Sequence, residues 1–113
     1  MKTKSAKAKG RRAAAELQQI LLKTFPDLEE SDVRVTPSGV HGEDLQLSPK
    51  AREIFPFSVE VKNKERLNVW DALDQSKAHS AQQNAKPIMV FRRNRTPFHV
   101  CMEIDTFLEL IAG

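Results

Sequence analysis

The sequence predicts an α/β fold: a mixed sheet of about five strands with helices on both faces. Three observations predict it. Helical and alternating apolar spacings succeed one another in the order helix, three strands, helix, two strands, helix. The central helical stretch has the length of a crossover between parallel strands. The chain of 113 residues, 40% hydrophobic and 29% charged, suits a single domain with a modest core.

The elements follow in chain order. After Gly10 the run RRAAAELQQILLKTF is rich in strong helix formers, and Ala13, Leu17, Ile20, Leu21 and Thr24 make its apolar stripe. Pro26 ends it. DVRV (32–35) reads as a short strand, TPSGVHG (36–42) as a turn, and EDLQLS (43–48) as a second strand with Leu45 and Leu47 inward and Asp44 and Gln46 on the other side. Ser48 is placed as an N-cap and Pro49 as the first residue of a short helical turn. FPFSVEVKN (55–63) is a third strand in which Phe57, Val59 and Val61 alternate with Ser58, Glu60 and Lys62.

Leu67 to Ala85 contains neither Pro nor Gly and predicts one long helix anchored by Val69, Trp70 and Leu73. KPIMVF (86–91) and PFHVCMEI (97–104) are two further strands around the basic tip RRNRT (92–96). Asp105 is the expected N-cap of a closing helix that docks through Phe107, Leu108 and Ile111. With helices on both faces, the middle strand is covered on both sides, so Glu60 and Lys62 need a reason other than a solvent-washed surface.

Composition narrows the class. No stretch has the roughly 18 apolar residues of a membrane span, and the start does not resemble a signal peptide. One cysteine, Cys101, allows no internal disulfide and no Cys-based zinc site, so the expected setting is soluble, reducing and cytoplasmic. Six basic residues and no acid occupy the first 12 positions; without them, 12 basic face 15 acidic residues, a body near −3. The expectation is a basic, flexible arm over residues 1–9 and one domain over 10–113. A polyanion, nucleic acid above all, is the partner such an arm suits; a solubilising tail is the alternative.

Side chains two apart on a strand point the same way, roughly 6 to 7 Å apart. If the strands 43–48 and 55–63 pair antiparallel, Asp44 comes near Glu60 and Lys62. Carboxylates held close repel unless a cation sits between them, and hard oxygen donors with no His or Cys among them select Mg²⁺ or Mn²⁺. Lys62 can orient a water or neutralise charge on a phosphoryl oxygen.

PSGVHGEDLQL followed by FSVEVKN resembles the PD-(D/E)XK nuclease signature, here G-E-D and then E-V-K. The branch it is most similar to contains archaeal-type Holliday junction resolvases and related phage endonucleases, and KGRRAAAE (9–16) is similar to that branch's opening basic helix. The resemblance spans roughly residues 9 to 104. It implies a restriction-endonuclease-like fold, a metal held by Asp44 and Glu60 with Glu16 as the first-helix acid, Lys62 assisting the water, and Gln75 as the polar residue of the following helix. It also implies a homodimer. Glu16 has a second reading, an edge residue paired with Arg12 one turn back.

Lys9, Arg11, Arg12, Lys64, Arg66, Arg92, Arg93 and Arg95 are candidate DNA contacts, each alternatively a solvated charge. Ser38, in the turn before Asp44, is a candidate near the scissile phosphate or a plain turn-former. His41, His79 and His99 lack ligand spacing and stay outside the site, and Trp70 is a core anchor. The expected function is a Mg²⁺-dependent endodeoxyribonuclease acting on branched DNA. The alternatives are a nicking, mismatch or restriction-like nuclease of the same fold, and a non-catalytic DNA-binding module.

Overall fold

Alternating and helical apolar runs become four helices and five strands in the computed structural model, which describes residues 2–83 and 85–113 and the side chains of all of these except 2–5, 82 and 83. In order they are α1 (Lys2–Thr24), a 3₁₀ turn (Glu30–Asp32), β1 (Val33–Val35), β2 (Leu45–Leu47), α2 (Pro49–Ile54), β3 (Phe57–Asn63), α3 (Val69–Gln83), β4 (Lys86–Arg92), β5 (His99–Cys101) and α4 (Ile104–Ala112). The fold is mixed α/β. The radius of gyration, 13.7 Å, is that of one domain of this length, about 13 Å.

The five strands form two small sheets. β1 and β2 pair antiparallel, Val35 opposite Leu45. β3 and β4 pair in parallel through the α3 crossover, Glu60 opposite Met89, and β5 returns antiparallel along β4, Val90 opposite Val100. The sequence expectation that strand 43–48 pairs with strand 55–63 is therefore corrected: β2 ladders with β1, and a single backbone bond from Asp44 N–H to Val59 O, 2.9 Å, joins the two sheets.

α1 covers one face of β3 and α3 the other, so residues 57 to 61 are all buried. Ala13, Ala14, Leu17 and Leu21 of α1 pack on Phe57, Val59, Val61, Ile88 and Val90, with Val33 and Leu45 closing the core. The buried stripe is rotated from the expected one, because Ala14 turns inward while Ile20 and Thr24 are exposed. α1 also begins at Lys2, not after residue 9. Lys, Ala and Arg propagate a helix, and the roughly 1 kcal/mol cost of Gly10 does not interrupt it.

On the other face α3 packs through Ala72, Ser76 and Ser80, small residues one turn apart that bring its axis close to the sheet; Ser76 Oγ donates to Ile88 O at 3.0 Å. Asn68 caps this helix by accepting from Asp71 N–H at 3.1 Å. The small stripe rotates the first turn outward, so Trp70 is 76% exposed and is not a core anchor. α4 departs in the same sense. Glu103, not Asp105, is its N-cap, and Phe107, Leu108 and Ile111 do not dock on the domain.

Ser48 and Pro49 take their expected places at α2, with Ser48 Oγ accepting from Ala51 N–H and donating to Asp32 Oδ1 at 2.7 Å. Ser58 is buried beneath α3 with its hydroxyl unpartnered. Ser58→Ala is expected to raise stability by about 1 kcal/mol, read as a higher urea midpoint at unchanged m-value.

Candidate functional site

The loop between β1 and β2 delivers the first acid. Gly39 (φ 83°) and Gly42 (φ 125°) take left-handed conformations that turn residues 37–42 back toward the sheet. The chain is then clamped on both sides: Thr36 N–H donates to Asp44 O at 3.0 Å, Thr36 Oγ1 donates to Glu43 O at 2.6 Å, and Asp44 N–H donates to Val59 O. Asp44 thus lies along the edge of β3 away from β4, and its Oδ2 accepts the N–H of Val61 at 2.7 Å.

Glu43 is buried beside it and pairs with Arg52 of α2 through both guanidinium nitrogens, at 2.5 and 3.3 Å, while Arg52 also donates to Phe57 O at 2.7 Å. This fork ties the loop to α2 and to the start of β3. Glu43→Ala strands a partly buried guanidinium and is expected to cost about 3 kcal/mol, read by urea denaturation. Arg52→Lys, which cannot reproduce the fork, is expected to lose part of the same stability.

Glu60 stands on the α3 side of β3, 3% exposed. Burial pushes its carboxyl up to about 7, and the Asp44 charge adds to the rise; the His79 ring and the Lys62 ammonium oppose it. Asp44 is raised as well, first by burial, against the Val61 N–H, the Lys62 charge, a hydrogen bond with Glu60 and the His79 ring. The structure thus sets Asp44, Glu60 and Lys62 near one another, by the single Asp44–Val59 backbone bond and not by the strand pairing expected from the sequence.

Two residues of α3 complete the cluster. Lys62 Nζ donates to Gln75 Oε1 at 2.9 Å, which puts Gln75 beside the site. His79 Nδ1 contacts Glu60 Oε1. The match is geometric: four residues of helix advance about 6 Å, two residues of strand about 6.6 Å, so α3 lying antiparallel on β3 sets Gln75 over Lys62 and His79 over Glu60. His79, set aside in the sequence for want of ligand spacing, is the residue that reading missed. The signal was its distance of one helical turn from Gln75.

Glu16 is not brought to the pair. It is exposed on α1 and accepts from Arg92 at 2.5 Å, a hydrogen bond that holds its carboxyl below the ordinary range, with the Arg92 and Arg12 charges acting the same way. The charged groups acting on Asp44 and Glu60 are each other, Lys62 and His79. His41 is exposed, and His99 stacks against Phe91 with ring centroids 5.6 Å apart.

A cleft of about 330 Å³ opens over Asp44 and Lys62, and Lys7, Arg11 and Ser38 line its other wall, Arg11 donating to Ser38 Oγ at 2.7 Å. A second cleft adjoins it at Lys62 and is lined by Lys9, Lys64 and Arg66. A third adjoins the second at Lys64 and is lined by Arg92 and Arg93. Seven of the residues expected to grip phosphate, Lys9, Arg11, Ser38, Lys64, Arg66, Arg92 and Arg93, thus line a row of three neighbouring clefts, two of which Glu65 lines as well. Arg95, in a left-handed conformation (φ 63°), stands exposed at the hairpin tip, and Arg12 lies exposed on α1 near Glu16.

The donor set fits a hard divalent cation. A buried carboxyl, Glu60, and a half-buried one, Asp44, suppress each other's ionisation, and a dication between them would let both ionise. Among the described residues no group of three or more His, Cys, Asp or Glu side chains is gathered to hold a metal. Mg²⁺ is the ion such a site suits, since it keeps several waters and takes one or two carboxylates together with substrate phosphate. Among the described residues no helix is long and apolar enough to cross a membrane. In comparisons with family models, curated proteins and solved structures, no match to the chain was found.

Proposed function

We propose that this chain is a metal-dependent endonuclease that hydrolyses phosphodiester bonds of DNA, with branched duplex as its substrate. The observation that carries the reading is the pair formed by half-buried Asp44 and buried Glu60, set beside Lys62 next to clefts lined by basic residues. A divalent cation bound by Asp44 and Glu60 would supply Lewis-acid polarisation of the scissile phosphate and a more acidic water.

The chain's own residues do the rest. Asp44 is fixed by the Val61 N–H and by its clamped backbone, so its remaining oxygen has a set direction. His79 holds the Glu60 carboxyl in one orientation from above. Lys62 lines the same cleft, its Nζ held by Gln75, and its ammonium can orient the attacking water and neutralise charge developing on a phosphoryl oxygen. Arg11 and Ser38 face it across the cleft and are placed to hold a phosphate. Paired incisions in a branched substrate need two such sites, so the active species is a symmetric homodimer.

The test is cleavage of a four-way junction, a flap, a mismatch and a linear duplex, with and without Mg²⁺ or Mn²⁺. Cutting that needs the cation and is strongest on the junction is the expected result. Cutting of a mismatch or linear duplex in preference would keep the chemistry and replace the substrate. A second reading, a non-catalytic DNA-binding module, is favoured by the depth of Glu60, which lies under α3 and does not line the cleft. Binding without cutting under every cation would establish it.

The row of clefts has its own expected signature. The double substitution Lys64→Ala, Arg66→Ala is expected to lower DNA affinity and to reduce the slope of log K against log salt by about 2, one unit for each phosphate left without its cation. An unchanged slope would place DNA elsewhere on the surface.

A further inference from the structure

α4 is docked by the wrong face for a helix that completes a core. Thr106, 7% exposed, is its buried residue, and its tie to the sheet on this side is the ion pair of Glu109 with Lys86; the residue before it, Glu103, pairs with Lys77 of α3 at 2.9 Å. Ile104, Phe107, Leu108 and Ile111 recur at the i, i+3, i+4, i+7 spacing of an apolar stripe, and all four face outward, 47% to 68% exposed. Two residues separate α4 from β5, the outer strand of its sheet, where Val100 is 55% exposed and one row of backbone donors and acceptors has no strand beside it.

We propose that the open edge of β5 and the apolar stripe of α4 form the two-fold interface between two copies of this chain. Three considerations select a second copy as the occupant. The first is area: the exposed fractions of Val100, Ile104, Phe107, Leu108 and Ile111 amount to roughly 500 Å² of apolar surface per copy, so a symmetric pair buries roughly 1,000 Å² before main chain and rim are counted, the threshold of a specific interface. The second is self-complementarity. A two-fold axis between copies lays β5 antiparallel on its counterpart, each edge supplying what the other lacks, and sets stripe against stripe.

The third is charge. α4 carries Asp105 and Glu109 and no basic residue, and the flanking Lys77 and Lys86 are already neutralised by Glu103 and Glu109. A nucleic acid or an anionic membrane would meet a neutral to acidic rim, whereas interfacial helices carry Lys and Arg on their polar face. The inference stands on this surface alone and does not depend on the nuclease reading; if both hold, the interface joins two catalytic sites into one particle.

Sedimentation equilibrium of the full chain tests it. At about 50 µM, well above the dissociation constants of ordinary homodimers, the expected particle has twice the 12.8 kDa chain mass. The double variant Leu108→Glu, Ile111→Glu is expected to sediment as a monomer with an unchanged circular-dichroism spectrum, because both side chains are already exposed in one copy. A wild-type chain that stays at 12.8 kDa, whether through solitude or preference for a different protein, overturns the proposal. So does a double variant that remains dimeric. Should the double variant unfold, Ile111→Ser decides: association weakened by roughly tenfold or more supports the interface, and an unchanged constant overturns it. A dimer that cuts no DNA removes the nuclease reading and leaves the interface, whereas a monomer that cuts DNA removes the interface and the requirement for a dimeric active species but leaves the cleavage chemistry.

Discussion

Glu60→Gln is expected to lower cation-dependent DNA cleavage by roughly 10³-fold or more while leaving the fold and most DNA binding in place. The amide keeps the volume of the carboxyl and can still meet the His79 ring, so the packing of α3 on β3 survives. What it cannot do is carry the negative charge that holds a divalent cation beside Asp44. Asp44→Asn is expected to act alike, since its amide oxygen can still accept the Val61 N–H. Binding to DNA, carried by the basic residues of the clefts, falls little in either variant, which separates lost chemistry from lost affinity. If both variants cut at the wild-type rate, the assignment of these residues is wrong.

Stability of the metal-free protein is expected to fall as pH rises from 5 to 8, and divalent cation is expected to restore it. Glu60 has a folded-state pKa of about 7 against an ordinary 4.5, burial being the larger cause and the Asp44 charge the second. Through this window the unfolded chain releases the Glu60 proton while the folded chain keeps it. Folding then binds a proton, so stability is full below about 4.5, declines as pH climbs, and is lost above about 7. The size is on the order of 3 kcal/mol, shared with the raised Asp44, and on the order of 10 °C in melting temperature. Mg²⁺ is expected to raise the midpoint more at pH 8 than at pH 5, because only at the higher pH does it relieve two charged carboxylates. Glu60→Gln flattens the same pH profile. A wild-type melting temperature that climbs steadily from pH 5 to 8 without cation would contradict the packing around Glu60.

These two measurements bear on different links. The first asks what the cluster does, the second what it costs the fold. A pH profile of the expected shape with no cleavage would leave the Asp44–Glu60 pair as a structural feature of a binding module, with His79 and Lys62 as its partners. Cleavage with a flat profile would mean that Asp44 and Glu60 are solvated in the working protein.

Local pattern carried far in this chain. Alternating runs, and for residues 86–91 a short continuous apolar run, located the five strands, and the Pro- and Gly-free stretch located α3, because backbone preferences and side-chain patterning act over a few residues. Ser48 and Pro49 marked the start of α2 for the same local reason. The two-residue step from Glu60 to Lys62 put both on one strand face without knowledge of anything beyond the strand.

Rotation and partnership needed the whole molecule. Which side of α3 meets the sheet was decided by how closely Ala72, Ser76 and Ser80 let two backbones approach, a dispersion gain spread over many atom pairs that outweighed burying Trp70. The same rotation brought His79 to Glu60. Arg92 lies far from Glu16 in sequence, and their pairing exists only because β4 and α1 are neighbours in space. Likewise the stripe of α4 reads in sequence as an ordinary core helix. Only the packing of Thr106 inward leaves Phe107, Leu108 and Ile111 facing out, because burial belongs to the assembled surface and not to the residues that compose it.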